Sequence, residues 1–179
     1  MDKQQISEIV RRVMKENNLN DNKSEEKINL FEKSSKPQLG ANVTLKMARK
    51  LIAKVIKHAE EIGVKAVAAV VNSGARPVAV ECADGSYIAS YDIALGKAYT
   101  SASLKMKTSV LKELAAPGGS LYGIQHTNSG QIVIFGGGIP LKAGDEVIGG
   151  FGVSGGTEEQ DTYLGDYAES VFLEMIADK

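Results

Sequence analysis

Residues 131–161 constrain the fold most strongly, because two short apolar runs in this stretch are each accompanied by a group of glycines. The first run, residues 132–135, ends at three consecutive glycines, and the second run, residues 146–153, contains three more. With turn-forming residues 142–145 between them, the runs predict an antiparallel hairpin. A strand with so few side chains usually lies beneath a closely packed helix or beside a ligand.

The same stretch contains a G-x-G-x-x-G pattern at residues 150–155. We do not interpret it as a dinucleotide site, because a Rossmann unit needs a further strand after the helix and an acidic residue for the ribose. Thr157 and Gln160 have the spacing of a capping box, and three carboxylates in the first turn of the predicted helix already complement its dipole. These carboxylates are Glu158, Glu159 and Asp161.

Charge and cysteine content narrow the classes of partner. The 21 Lys and Arg residues balance 22 Asp and Glu residues without any basic run, so the sequence does not predict a nucleic-acid-binding surface. The single cysteine, Cys82, excludes an intrachain disulfide, suits a reducing compartment and is predicted to be a small core residue. No apolar run resembles a signal peptide or a membrane span, and we expect a cytoplasmic location.

The pattern along the chain predicts three parts. Residues 1–17 carry apolar side chains at helical spacing and predict an amphipathic helix. Residues 18–40 have the polar composition of a linker, and residues 41–179 predict one globular domain. The N-terminal helix either docks on its own domain or a neighbouring subunit, or serves as an addressing peptide, and both interpretations stay open.

Thr44 is the predicted N-cap of the first helix of the domain, and Gly63 is expected to follow its end. Met47, Leu51 and His58 lie together on a flank about 90° from the centre of the main apolar stripe, and they form a predicted second apolar patch. Such a patch commonly contacts a partner subunit, so we expect a homo-oligomer. The main stripe comprises Leu45, Ala48, Ile52, Val55, Ala59 and Ile62.

The remaining segments show strand and helix patterns in turn. Residues 64–71 and 78–83 predict another hairpin, and residues 88–104 predict a helix whose small side chains permit close packing. A short helix at 109–115, a short strand at 121–126 and a strongly amphipathic last helix complete the domain. This order predicts an α+β fold in which helices pack against an antiparallel sheet.

Five strings, in this order, carry a resemblance that covers nearly all of residues 41–179: AVVNSGARPVA, YIASYDIALGKAYTSA, LAAPGGSLYGI, GQIVIFGGGIPL and GGFGVSGGTEEQD. They look like the GlcG/HbpS family, including the C-terminal domain of PduO-type proteins. The resemblance implies a profilin-like antiparallel five-stranded sheet flanked by helices, homo-oligomers of several subunits, and haem binding, with haem-degrading or corrinoid-related roles suggested. Residues 1–40 are too few for the adenosyltransferase domain of PduO-type proteins, so cobalamin adenosylation is not carried over.

Residues 1–17 also resemble the amphipathic encapsulation peptides that carry enzymes into bacterial microcompartments. Because PduO-type domains belong to propanediol-utilising compartments, the two resemblances together imply a location inside such a compartment and binding to its shell proteins. A helix that only docks on its own domain would have the same layout.

His58 is the first candidate to ligate haem iron, which binds imidazole, thiolate or thioether ligands. Met47 and Leu51 are candidate contacts for the porphyrin face, and Lys54, one turn away, is a candidate partner for a propionate. The alternative interpretation of His58 is a helix-surface residue that a neighbouring element half covers.

His126, in a predicted loop, is the second candidate iron ligand, and Cys82 is the third. The sequence favours a haem-binding, tetrapyrrole-handling protein, with a corrinoid-related accessory protein, a non-catalytic assembly component and a haem-degrading enzyme as alternatives. An enzyme is harder to support from the sequence, because no Ser-His-Asp order, metal-ligand cluster or paired carboxylates occur outside the acidic turn at 158–161. Whether the protein is an enzyme is left open.

Overall fold

The computed structural model describes Glu8 and residues 42–177. Residues 42–177 all belong to one compact unit. The helix predicted at residues 1–17 and the linker predicted at 18–40 lie outside the described residues, with the exception of Glu8. Across the described part of the chain, no helix combines the length and the apolar character needed to cross a membrane.

The structure confirms the α+β class. The elements are α1 Leu45–Glu61, β1 Val67–Asn72, β2 Pro77–Cys82, α2 Ser90–Leu104, α3 Thr108–Ala115, β3 Gly138–Ala143, β4 Glu146–Ser154 and α4 Glu158–Ala177. Within residues 42–177 one sheet contains four strands, in the order β2-β1-β4-β3, and all neighbouring strands are antiparallel. The predicted fifth strand is not found there.

Helices cover both faces of the sheet. On one face, α1 and α4 bury a cluster that includes Val70 of β1 and Phe151 of β4. On the other face, Val67 and Ala69 of β1 pack against the small side chains of α2, among them Ala98. Since successive side chains of a strand point to opposite faces, β1 is buried on both sides and its sequence is apolar almost throughout.

The glycines of β4 allow α2 to lie unusually close to the sheet. A β-carbon at Gly152 would lie 2.5 Å from the backbone nitrogen of Ala98, and one at Gly150 would lie 2.8 Å from the Ser101 hydroxyl oxygen. Real side chains do not make contacts this short. The prediction that the bare strand lies beneath a closely packed helix is therefore confirmed.

The first strand of the predicted glycine-rich hairpin lies later in the sequence than expected. Residues 132–135 are outside the sheet, and the Val133 amide donates to the Thr100 hydroxyl oxygen at 2.9 Å. The strand that pairs with β4 begins instead at Gly138 and contains Pro140. The prediction was wrong because an apolar run fits a partly buried loop as well as a strand, and because β3 is an edge strand, where a residue without an N–H is tolerated.

Two further predictions are corrected. Residues 121–126 form turns and a short 3-10 helix, Ile124–His126, rather than a strand, because Gly123 has a φ of 89° that interrupts an extended chain. Cys82 is exposed rather than buried. It is the last residue of β2, which has no neighbouring strand on its outer side among residues 42–177.

The limits of α1 are as predicted, but its buried face is rotated. The Thr44 side chain accepts a hydrogen bond from the Met47 amide at 3.2 Å, which confirms the N-cap. Leu45 and Ile62, predicted to be in the core, are 49% and 37% exposed, whereas Met47 and Leu51 are buried. Because α1 packs against α4 as well as the sheet, Met47 and Leu51 of the predicted second apolar patch belong to the core, and only His58 stays at the surface.

Candidate functional site

His58 lies in the last turn of α1, and both of its ring nitrogens have a partner. Nδ1 lies 3.1 Å from Glu61 Oε2, and Nε2 lies 2.9 Å from the hydroxyl oxygen of Tyr163 in α4. An Nδ1–H that donates to the carboxylate leaves Nε2 as the acceptor of the Tyr163 O–H. These partners fix the orientation of the ring and direct its basic nitrogen towards α4.

Aromatic rings from α4 hold the imidazole in a shallow surface position. The His58 and Tyr167 ring centroids are 4.1 Å apart at an interplanar angle of 30°, and Tyr163 lies at 5.6 Å. The His58 side chain keeps 21% of its surface exposed. It is therefore a largely covered histidine at the surface, next to Tyr163, which is 51% exposed.

The structure brings together only some of the predicted site residues. Lys54 is exposed on α1, one turn before His58. Leu51 is fully buried and Met47 nearly so, so neither presents a face to a porphyrin within this subunit. The aromatic surface next to His58 comes from Tyr163 and Tyr167 instead.

His126 occupies a different environment. It is exposed at the end of the 3-10 helix Ile124–His126, and its side chain makes no hydrogen bond or ion pair with any described residue. No three His, Cys, Asp or Glu side chains in the described part of the chain are grouped so that they could hold a metal ion. His126 and Cys82 therefore remain isolated candidates.

A second arrangement of polar groups is buried between α2 and α4. Lys97 is fully buried, and its Nζ donates to Asp161 Oδ2 at 2.7 Å and to the Val153 carbonyl at 2.9 Å. The ammonium also lies 5.1 Å from the centre of the Phe135 ring. Burial lowers the pKa of Lys97 and raises the pKa of Asp161, and each of these effects is opposed by the charge of the partner.

This ion pair links helices on opposite faces of the sheet, and sequence reasoning missed it. Asp161 was attributed to the helix dipole, yet its Oδ1 accepts from the Gly156 amide at 3.0 Å while its Oδ2 holds Lys97. One signal was present in the sequence, because Lys97 lies between Ala94 and Ser101 on the small-residue face of α2. A lysine on a buried face requires an anion or a carbonyl nearby. By contrast, no sequence pattern near Tyr163 predicts its contact with His58.

Comparisons with known proteins agree with this fold. The family model for haem degrading protein HbpS-like matches residues 43–168. An uncharacterized 15.0 kDa protein in the dhaT-dhaS intergenic region of Citrobacter freundii is 43% identical over 141 residues, which are 79% of this chain and 99% of that protein. The crystal structure of a PduOC:heme complex has a TM-score of 0.69 at 28% identity, covering 73% of this chain and 94% of the other.

The corrinoid adenosyltransferase PduO of Citrobacter freundii is 32% identical over 113 residues, which are 63% of this chain. The match spans only 34% of that enzyme, so the activity in its name does not pass to this chain. The family model, in contrast, covers most of the described residues, and the 15.0 kDa relative is matched over almost its whole length. The chain belongs to the HbpS-like family.

Proposed function

We propose that this protein binds haem and that His58 ligates the iron. The observation that carries the proposal is the surface pair formed by the His58 imidazole and the Tyr163 phenol, 2.9 Å apart. Imidazole ligates haem iron in proteins, so His58 fits the cofactor once the Tyr163 hydroxyl has moved away from Nε2. The likeness to the PduOC:heme complex supports haem binding by this chain.

The residues around His58 have distinct roles in this proposal. Glu61 holds the ring through Nδ1, which leaves Nε2 as the nitrogen that faces the metal. The Tyr163 hydroxyl must leave Nε2 before iron binds there. Tyr167 packs against one face of the imidazole, and the exposed Lys54 would pair with a propionate in this proposal. Bound haem would supply redox and ligand-binding chemistry at this surface.

Replacing His58 with alanine is expected to shift or abolish the Soret band of protein mixed with haemin, and to weaken binding about tenfold or more, because one iron ligand is lost. Absorption titration of the full chain with haemin measures both effects. The matched control, His126→Ala, should retain the wild-type spectrum. Tyr163→Phe should bind haemin at least as tightly as the wild type, because it frees Nε2. An unaltered spectrum in His58→Ala would reassign the iron to His126 or Cys82.

Haem degradation is a second candidate, favoured by the description of the family model. Loss of the Soret band when haem-loaded protein is mixed with a reductant under air would support it, and a stable band would argue for binding alone. Titration with cobalamin in place of haemin tests the corrinoid alternative.

We also propose that the domain is a homo-oligomer, since Leu45 of α1 and Leu173 of α4 are each about half exposed.

We propose further that the protein is cargo of a bacterial microcompartment, with residues 1–17 binding a shell protein. A fluorescent protein fused to residues 1–20 is expected to co-localise with compartment shells in a host that makes them, because an amphipathic helix carries its own docking face. A fusion in which Ile6 and Val10 are replaced by glutamate is the control and should be diffuse. Diffuse fluorescence of both fusions would contradict the targeting role.

A further inference from the structure

Helix α1 carries a basic stripe on its exposed side. The helix contains five cationic side chains and only two carboxylates, Glu60 and Glu61, which lie in its last turn. At about 100° per residue, the five cations fall within an arc of about 140°. All five are exposed, and none of them forms an ion pair with a described residue. This basic stripe comprises Lys46, Arg49, Lys50, Lys54 and Lys57.

Helix α4 has the opposite charge. Its 20 residues contain six carboxylates and no lysine or arginine. Two of the carboxylates are each paired with a lysine of their own, and Asp166 and Glu169 share the single ammonium of Lys107. Glu159 and Glu174 are exposed and form no ion pair with a described residue. An acidic stripe of Glu159, Asp166, Glu169 and Glu174 therefore keeps an excess of negative charge.

The two stripes belong to neighbouring helices, yet they do not neutralise one another. Helices α1 and α4 cover the same face of the sheet, and they meet where His58 lies 2.9 Å from the Tyr163 hydroxyl. Among the described residues, no ion pair joins a cation of α1 to a carboxylate of α4. The charge that balances each stripe therefore comes from ions in solution or from a second molecule.

Exposed leucines accompany both stripes. Leu45, next to Lys46 in α1, is 49% exposed, and Leu173, next to Glu174 in α4, is 53% exposed. Burial of apolar surface stabilises an association, whereas the charges around it determine which partner binds and in which orientation. The outer surface of these two helices thus offers both kinds of contact.

We propose that α1 and α4 of one subunit dock on α4 and α1 of a second copy across a two-fold axis. This inference rests on the homo-oligomer proposed above and assigns its interface. In a two-fold interface the same patch serves both subunits, so a patch with one basic and one acidic half is complementary to itself.

The charges also select the orientation and the kind of partner. Placing α1 on α4 of the second copy brings opposite charges together twice, whereas placing α1 on α1 would bring like charges together. An anionic polymer would be attracted by the basic stripe but repelled by the acidic stripe beside it. A second copy satisfies both stripes at once.

Reversal of charge on one helix at a time tests this interface. Lys46→Glu/Lys50→Glu and Asp166→Lys/Glu174→Lys should each associate at least about tenfold more weakly than the wild type, because like charges then face one another. An equimolar mixture of the two variants should associate again, since each reversed helix meets the reversed helix of the other protein. Sedimentation velocity of the full chain without haemin, at about 0.1 M salt, measures all three.

The control variant is Lys65→Glu/Lys142→Glu, which changes the net charge equally at two exposed lysines outside both helices. It should sediment like the wild type. A monomeric wild type would contradict the homo-oligomer and this interface with it. A wild-type multimer that neither reversal weakens, or variants that do not associate when mixed, would refute the interface alone. Loss of heparin binding in Lys46→Glu/Lys50→Glu with an intact multimer would assign the basic stripe to an anionic polymer instead.

Discussion

The Gly152→Val variant is expected to lose a large part of its free energy of unfolding, about 3 kcal/mol or more. Its β-carbon would lie 2.5 Å from the Ala98 nitrogen and closer still to the Ala94 carbonyl oxygen. Both are backbone atoms of α2, which no change of rotamer relieves. Overpacking a core costs about 1–3 kcal/mol and occasionally more, and a backbone collision belongs at the upper end. Domains of this size are stable by only about 5–15 kcal/mol.

Circular dichroism during heating and urea titration measures this effect. The control is Gly74→Ala, since Gly74 lies in a turn without a positive φ and its nearest neighbour, Asn72 Oδ1, would be at an ordinary 3.4 Å. We expect the control to unfold within a few degrees of the wild type. A Gly152→Val protein as stable as Gly74→Ala would mean that α2 does not lie directly on β4.

Lys97→Met is expected to reduce the free energy of unfolding by about 3–5 kcal/mol, because it leaves the buried Asp161 carboxylate without its cation. Urea unfolding at neutral pH measures the change. Lys107→Met is the matched control, since Lys107 pairs with Asp166 and Glu169 at the surface, where an ion pair contributes only about 0–1 kcal/mol. A similar effect in both variants would contradict the burial of the Lys97 pair.

The loss in Lys97→Met should become smaller in acid. Burial raises the pKa of Asp161 above its ordinary value of 3.8, and removal of Lys97 takes away the charge that opposes this rise. When the pKa of a carboxyl group is higher in the folded state than in the unfolded state, the free energy of unfolding decreases as the pH rises from the lower pKa to the higher one. The variant should therefore gain stability relative to the wild type as pH falls from 7 towards 4. The double variant Lys97→Met/Asp161→Leu should recover much of the loss at neutral pH.

Local sequence patterns predicted the helices well. The Thr44 cap and the capping box of α4 are both observed, and Thr157 and Gln160 exchange their hydrogen bonds at 2.9 and 3.3 Å. The glycines of β4 also predicted close packing, because the lack of side chains is visible in the sequence itself. These features depend on residues within a few positions of one another.

Features that depend on distant residues were missed. Residues 132–135 have the composition of a strand, but the Thr100 hydroxyl takes the Val133 amide that a strand would have used. Likewise, His58 is hydrogen-bonded to Tyr163, and Lys97 is paired with Asp161. Both partners lie on the last helix, and no local sequence pattern identifies them. The site around His58 was therefore predicted from residues of α1 alone, namely Met47, Leu51 and Lys54, without the Tyr163 and Tyr167 rings of α4.

The position of Pro140 limits how copies of this domain can associate. It lies within β3, which forms one edge of the sheet, and proline has no N–H to offer a further strand. The opposite edge, β2, also begins with a proline, Pro77. Continuous sheets that grow from one molecule into the next are thereby disfavoured at both edges. We therefore expect contacts between copies of this domain to be made mainly by side chains of the helices and loops, which favours closed assemblies over open-ended fibres.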